Sequence, residues 1–184
     1  MNRLFLLFIF VLILSCKPSS DKVEEKLYAC FTNSLSQKEM QKLNAISTAY
    51  ESYLIEQRVL ESSEAESYWN FYRKIVESGT FEFTNDFNFS EKTRFLERES
   101  LEANQAQLDC YTRIFQSEAY LQSKQYRLQQ EMQSLRKHRV TPKIIAQTTI
   151  EILSVDDFEL EYNRLMTILF IETINETYKD ASDE

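Results

Sequence analysis

The chain has 184 residues, 43% of them apolar and 27% charged, and a net charge of −8 at pH 7. That length suits one domain with a proper core, and the acidic balance repels phosphate backbones, which argues against nucleic-acid binding as the main work. Glycine appears once, at Gly79, and proline only at Pro18 and Pro142, among many Gln, Glu, Lys, Leu and Ser. Too few turn formers remain for a sheet, so the chain reads as all-α: a single-domain bundle of about five to seven helices.

Met1-Asn2-Arg3 precedes an apolar run, Leu4 to Leu14, followed by Ser15 and Cys16. A base, an apolar stretch too short to cross a ~30 Å hydrocarbon core as a stable helix, and a small residue before the break describe an export signal. The segment Ile13-Leu14-Ser15-Cys16 resembles the processing signal of bacterial lipoproteins, although Leu14 stands where a small residue is more usual. The resemblance covers residues 1–16 only. It implies that residues 1–15 are a signal peptide and that Cys16 becomes the mature N-terminus, with a diacylglycerol on its thiol and an acyl chain such as palmitate on its amine. The implied location is the bacterial cell envelope, at the outer membrane on its periplasmic side or at the surface. The alternative is an ordinary secretory signal beside a free Cys16.

Residues 16–20 form a short polar tether, and a helical domain is expected over 21–178. Asp21 with Glu24 suits the start of a first helix, whose Val23, Leu27, Cys30 and Phe31 share a face. Ser36 with Glu39 opens a second helix with a buried stripe from Met40 to Leu60. Ser63 with Glu66 repeats that start signal, and Tyr68, Trp69, Tyr72, Ile75 and Val76 follow until Gly79 offers a left-handed stop. Residues 80–89 alternate phenylalanine with polar residues and predict a short non-helical flap. Its Phe81, Phe83, Phe87 and Phe89 either close one end of the core or offer an aromatic surface to a partner.

A long helical pattern runs from Ser90 to about Arg139, with a bend near Asn104. Within it Ile114, Leu121, Leu128 and Leu135 recur every seven residues, beside Met132. That spacing fits a seam inside the bundle or a dimeric coiled coil. The cluster Arg136-Lys137-His138-Arg139 suits a helix C-terminus or, less simply, an anion patch. Thr141 and Pro142 start a further helix, and Ser154 with Asp157 opens the last one. This final helix is apolar over most of its circumference from Met166 to Ile171, which predicts the most buried element, with an acidic tail at 179–184.

The chemistry that remains is limited. His138 is the single histidine and Leu135 lies three residues before it, so neither a Glu-x-x-His metal pair nor a His-Glu-x-x-His motif exists, and one glycine permits no phosphate loop. No metal, cofactor or catalytic residue is assigned. Carboxylates are harder to dismiss: Glu172 and Glu176 stand one turn apart beside Asn175, with Glu161 upstream. They suit a hydrolase only if buried away from a base. Cys30 and Cys110 are the thiols left after lipidation; a disulfide is expected between them, two buried free thiols being the alternative. The reading that asks least of the chemistry is a membrane-anchored, non-catalytic binding or scaffold module for another envelope protein. The alternatives are a carrier of a small apolar ligand and, more weakly, a carboxylate hydrolase.

Overall fold

The computed structural model describes residues 22–79, 81, 83, 85–96, 101–135 and 140–182, without the side chains of 101–104 and 175–182. Cys16, the tether, Asp21 and the Arg136–Arg139 cluster with His138 lie outside the described residues. Nine α-helices are present among them: α1 (Val23–Thr32), α2 (Gln37–Glu56), α3 (Ala65–Ser78), α4 (Phe89–Thr93), α5 (Leu101–Phe115), α6 (Glu118–Leu121), α7 (Lys124–Leu135), α8 (Pro142–Ile152) and α9 (Glu161–Ser182). Two 3-10 turns, Arg94–Leu96 and Val155–Glu159, complete the order, with no strand among the described residues. Seven of the helices have ten residues or more, as expected of a bundle of this size.

Several helix ends follow from the local chemistry. Ser36 and Glu39 exchange hydrogen bonds, Ser36 N donating to Glu39 Oε2 at 2.7 Å and Glu39 N to Ser36 Oγ at 3.3 Å. Two of the first-turn donors that α2 would leave unpaired are thereby satisfied. Gly79 ends α3 at φ 78°, where a Cβ would be strained. Thr141 Oγ1 accepts from Ile144 N at 3.4 Å, and Pro142 occupies the first turn of α8.

Other ends differ from the sequence pattern. The second helix stops at Glu56 rather than running to Leu60. Arg58 adopts φ 61° and the amides of Val59 and Leu60 both return to Leu54 O. Leu60 is still 1% exposed, because the turn folds it back under the helix. Ser63 does not cap α3; instead the buried Ser67 Oγ accepts from Glu61 N at 2.7 Å and Ser62 N at 3.1 Å. Lys22, with no side-chain cap, precedes α1. Ser154 and Asp157 form their reciprocal cap on the 3-10 turn, and α9 starts only at Glu161. The acidic tail is helical as far as Ser182.

The long helix expected over 90–139 is broken into α4, a 3-10 turn, α5, α6 and α7. Ser117 Oγ accepts from Tyr120 N and Ser123 Oγ from Tyr126 N, so each serine restarts the chain in a new direction. These breaks dismantle the heptad seam, and Leu121 is left 50% exposed. The expectation of a continuous seam or a coiled coil is therefore corrected.

The main core gathers Tyr50, Leu54, Tyr68, Phe71, Ile75, Phe158, Ile168 and Ile171 with their neighbours. A separate, smaller cluster joins Val23 and Leu27 of α1 to Tyr120, flanked by Tyr111, Ile114, Tyr126 and Tyr162. A disulfide between Cys30 and Cys110, with Cα atoms 5.8 Å apart, ties α1 to α5. The two clusters do not merge, and the space between them becomes the site.

Candidate functional site

An apolar groove of about 470 Å³ runs between α1, α5 and α9. α5 contributes Leu108, Tyr111, Thr112 and Phe115, and α9 contributes Tyr162, Leu165, Met166 and Leu169. Both sets follow the i, i+3, i+4, i+7 spacing that puts side chains on one helix face. Leu27, Tyr28 and Phe31 of α1 form the third wall, with Leu43, Phe89 and Leu96 at the margins. Tyr111 stacks on Phe115 with centroids 6.0 Å apart and an interplanar angle of 13°.

Stripes of this kind ordinarily lie buried against another element. Here Leu108 is 58% exposed, Met166 45%, Leu169 42% and Phe115 41%. These are four of the six large apolar side chains exposed among the described residues, and all four border this groove. Apolar side chains scattered singly need no explanation, but their convergence on one concave surface marks a binding site.

α9 explains the concentration. Its Ile168, Ile171 and Ile174 enter the main core, while Leu165, Met166 and Leu169 face the groove. The wide apolar arc predicted the most buried helix. In the structure it serves two surfaces, the main core and the wall of the groove. The stripe Leu108, Tyr111, Phe115 escaped sequence reasoning because Cys110 and Ile114 drew attention to a neighbouring face of the same helix.

The groove adjoins a polar pocket of about 390 Å³ that also has Tyr28, Leu43 and Leu165 in its lining. Glu51, Tyr68, Glu161 and Arg164 converge there, with Asn44, Ser47 and Thr48. Tyr68 OH donates to Glu51 Oε1 at 2.5 Å. Burial above all, then the hydrogen bond and charge of Glu51, push this phenol up from its ordinary value. Burial and the nearby Glu161 raise Tyr28 as well. Arg164 is already engaged: Nε donates to Phe158 O at 2.6 Å, Nη2 lies 3.6 Å from Glu159, and the guanidinium sits 5.6 Å from the Tyr68 ring centroid. Among the described residues no base forms an ion pair with Glu51 or Glu161.

The flap is placed differently from an exposed aromatic surface. Phe89 begins α4, is 2% exposed and lies 4.9 Å from Tyr50, centroid to centroid. Phe87 packs on Tyr50 and Tyr53 at 4.9 and 5.6 Å, Phe81 lies edge-on to Phe71 at 5.0 Å, and Phe83 leans on Phe81 at 5.3 Å. Their partner role is corrected for Phe89, which is inaccessible, while half-buried Phe81, Phe83 and Phe87 close the core. Phe81 and Phe83 also border a shallow depression with Arg58 and Lys74.

Glu172 is 6% exposed and forms no ion pair with a base among the described residues, contrary to the expectation that such acids face solvent or pair. Tyr50 OH donates to Oε2 at 2.8 Å and Asn85 Nδ2 to the same oxygen at 2.6 Å. Ser90 donates to Oε1 from its amide at 3.3 Å and its hydroxyl at 3.4 Å. Four donors fill the lone-pair positions of a carboxylate. Glu172 lines neither the apolar groove nor the polar pocket. Its arrangement is that of a staple joining α2, the flap, α4 and α9. Glu161 sits in the polar pocket, and the side chains of Asn175 and Glu176 are outside the described residues.

No helix among the described residues is long and apolar enough to cross a membrane. No family model, curated protein or solved structure matches the chain.

Proposed function

We propose that this protein is a lipid-anchored, non-catalytic binding module of the bacterial cell envelope that holds the apolar part of a ligand in the groove between α1, α5 and α9. The single observation that carries the reading is the meeting of two complete helical stripes, Leu108–Phe115 and Tyr162–Leu169, on one open groove of about 470 Å³. Ligand sites commonly have several hundred Å³ and a mainly apolar lining with few polar groups. The anchor rests on the resemblance of residues 1–16 to lipoprotein signals, and two or more acyl chains on Cys16 suffice for stable attachment.

A second reading, docking of an apolar helix from an envelope protein, draws on the exposure of Leu108 at 58%, which leaves one side of the groove open. The hydrolase reading loses its support with the saturation of Glu172.

Two measurements test the proposal. Cys16→Ser should remove the protein from the membrane fraction and alter its gel mobility; unchanged behaviour in both defeats the anchor. Native mass spectrometry of the protein extracted from membranes should show an apolar small molecule bound to the wild type and lost in Leu108→Asp/Met166→Asp. Capture of a protein in its place favours the second reading.

A further inference from the structure

The apolar groove and the polar pocket adjoin. Tyr28, Leu43 and Leu165 belong to both linings, so the α5 and α9 stripes end beside the pocket that holds the Glu51 and Glu161 carboxylates. Carboxylates outnumber bases in the pocket lining, Glu51 and Glu161 against Arg164. Arg164 is committed to Phe158 O, Glu159 and the Tyr68 ring. Neither Glu51 nor Glu161 has a base as partner among the described residues, and Glu51 accepts only from the Tyr68 hydroxyl. Glu25 lines a neighbouring depression that shares Tyr28 and Glu161, which extends the negative surface, while Glu159 there is paired with Arg164. The half-buried Tyr28 ring stands beside the acids, and aromatic faces attract ammonium groups.

We infer that the groove and the pocket together form one trough that takes a single-chain amphiphile with a cationic, ammonium-bearing head. The hydrocarbon chain lies along Leu108, Phe115, Met166 and Leu169, and the head sits between Glu51 and Glu161 against Tyr28. Charge complementarity selects this occupant: an anionic head meets two unpaired carboxylates, and a purely apolar chain leaves the polar pocket unused. The inference rests on the groove being the binding surface, as proposed above.

The test uses the anchored full chain in its own membranes. Two dodecyl probes carrying a diazirine in the chain, one with a trimethylammonium head and one with a sulfate head, are photolysed separately, and labelled peptides are mapped. The ammonium probe should label the groove peptides containing Leu108 and Met166 about fivefold more than the sulfate probe, the discrimination expected of partly exposed ion pairs. In Glu51→Gln/Glu161→Gln this preference should fall toward parity while groove labelling persists. Glu161 is exposed, so Glu161→Gln alone, which leaves the Tyr68 hydrogen bond intact, must lower the preference even if the double variant is unstable. Equal labelling by the two heads, or a preference unchanged in the variants, overturns the head assignment and leaves the proposed function standing. Failure of both probes to label the groove overturns both. Displacement of the ammonium probe by tetramethylammonium at equal concentration also overturns the inference, since the chain then contributes nothing.

Discussion

The hydroxyl of Tyr50 donates to the carboxylate of Glu172 at 2.8 Å, joining α2 to α9 across 122 positions of sequence. Asn85 Nδ2 bridges the pair, 3.0 Å from the Tyr50 oxygen and 2.6 Å from Glu172 Oε2. Tyr50 is wholly buried, and burial first, then the bond to Glu172, push its phenol well above its usual value. Hydrogen bonds to a charged group contribute about 1.5–3 kcal/mol, and a buried acceptor left short of a donor costs a similar amount. Tyr50→Phe should therefore lower unfolding stability by about 2 kcal/mol in urea titration. Glu172→Leu, which strands Tyr50 and Asn85 together, should cost more than Tyr50→Phe. A loss under 0.5 kcal/mol for both variants would show that the staple is not structural.

Phenylalanines of the flap and apolar residues of the groove should respond in opposite ways. Phe89 fills a closed site, so Phe89→Ala should cost about 3–5 kcal/mol. Leu108→Ser and Met166→Ser remove side chains that are 58% and 45% exposed, and their cost should stay within about 1 kcal/mol. The same two substitutions should abolish groove labelling by the ammonium probe. Equal destabilisation at Phe89 and Leu108 in thermal melts contradicts this division between core and site.

The Cys30–Cys110 bond closes a sequence separation of 80 residues and links two walls of the groove. In the chain-entropy model such a crosslink stabilises by up to about 4 kcal/mol. Reduction should lower the melting temperature and weaken probe labelling together, because α1 and α5 lose their covalent spacing. Alkylation of the denatured, unreduced mature protein should modify neither cysteine; two labelled thiols per chain defeat the bond.

Alkaline pH should unfold the domain through its tyrosines. Burial is the largest cause of the raised values at Tyr50, Tyr68, Tyr72 and Tyr162, and Tyr162 is pushed up to about 12. A folded value above the unfolded one, near 10, means that stability is fully present below that pH and declines as the pH rises through the folded value. Tyrosinate absorbance should therefore appear for these four residues together with loss of helical signal. Independent titration at pH 10, with the helices intact, contradicts the assignment.

Asp157 sets an acid limit. Burial raises its value, but the hydrogen bonds from Lys124 at 2.6 Å and from Ser154 N and Oγ, both at 2.7 Å, outweigh burial and hold it below the usual carboxylate range. Its contribution is present above the unfolded carboxylate value and is lost as the pH falls through the lowered folded one. Asp157→Asn should flatten the acid side of the stability curve, measured by urea unfolding between pH 5 and pH 2, while the wild type loses stability there.

The sequence by itself determined the helical class and the helix boundaries that are set within one turn. Ser36 with Glu39, Gly79, and Thr141 with Pro142 act on backbone groups a few residues away, so their spacing carries the whole message. The pairing of Cys30 with Cys110 followed from the small number of thiols and from the apolar faces they share. Tertiary structure alone decided which apolar stripes found partners. Ile168 and Leu169 are adjacent in sequence and equally apolar, yet one is 4% and the other 42% exposed. The difference arises because the main core and the Val23–Leu27–Tyr120 cluster pack separately and leave the groove between them. Ser117 and Ser123 were overlooked as helix starts because the heptad pattern runs through them, and local capping overrode that periodicity. Glu172 and its donors on α2, the flap and α4 come together only through the fold. A buried carboxylate is legible only once the residues that satisfy it, far away along the chain, are in place.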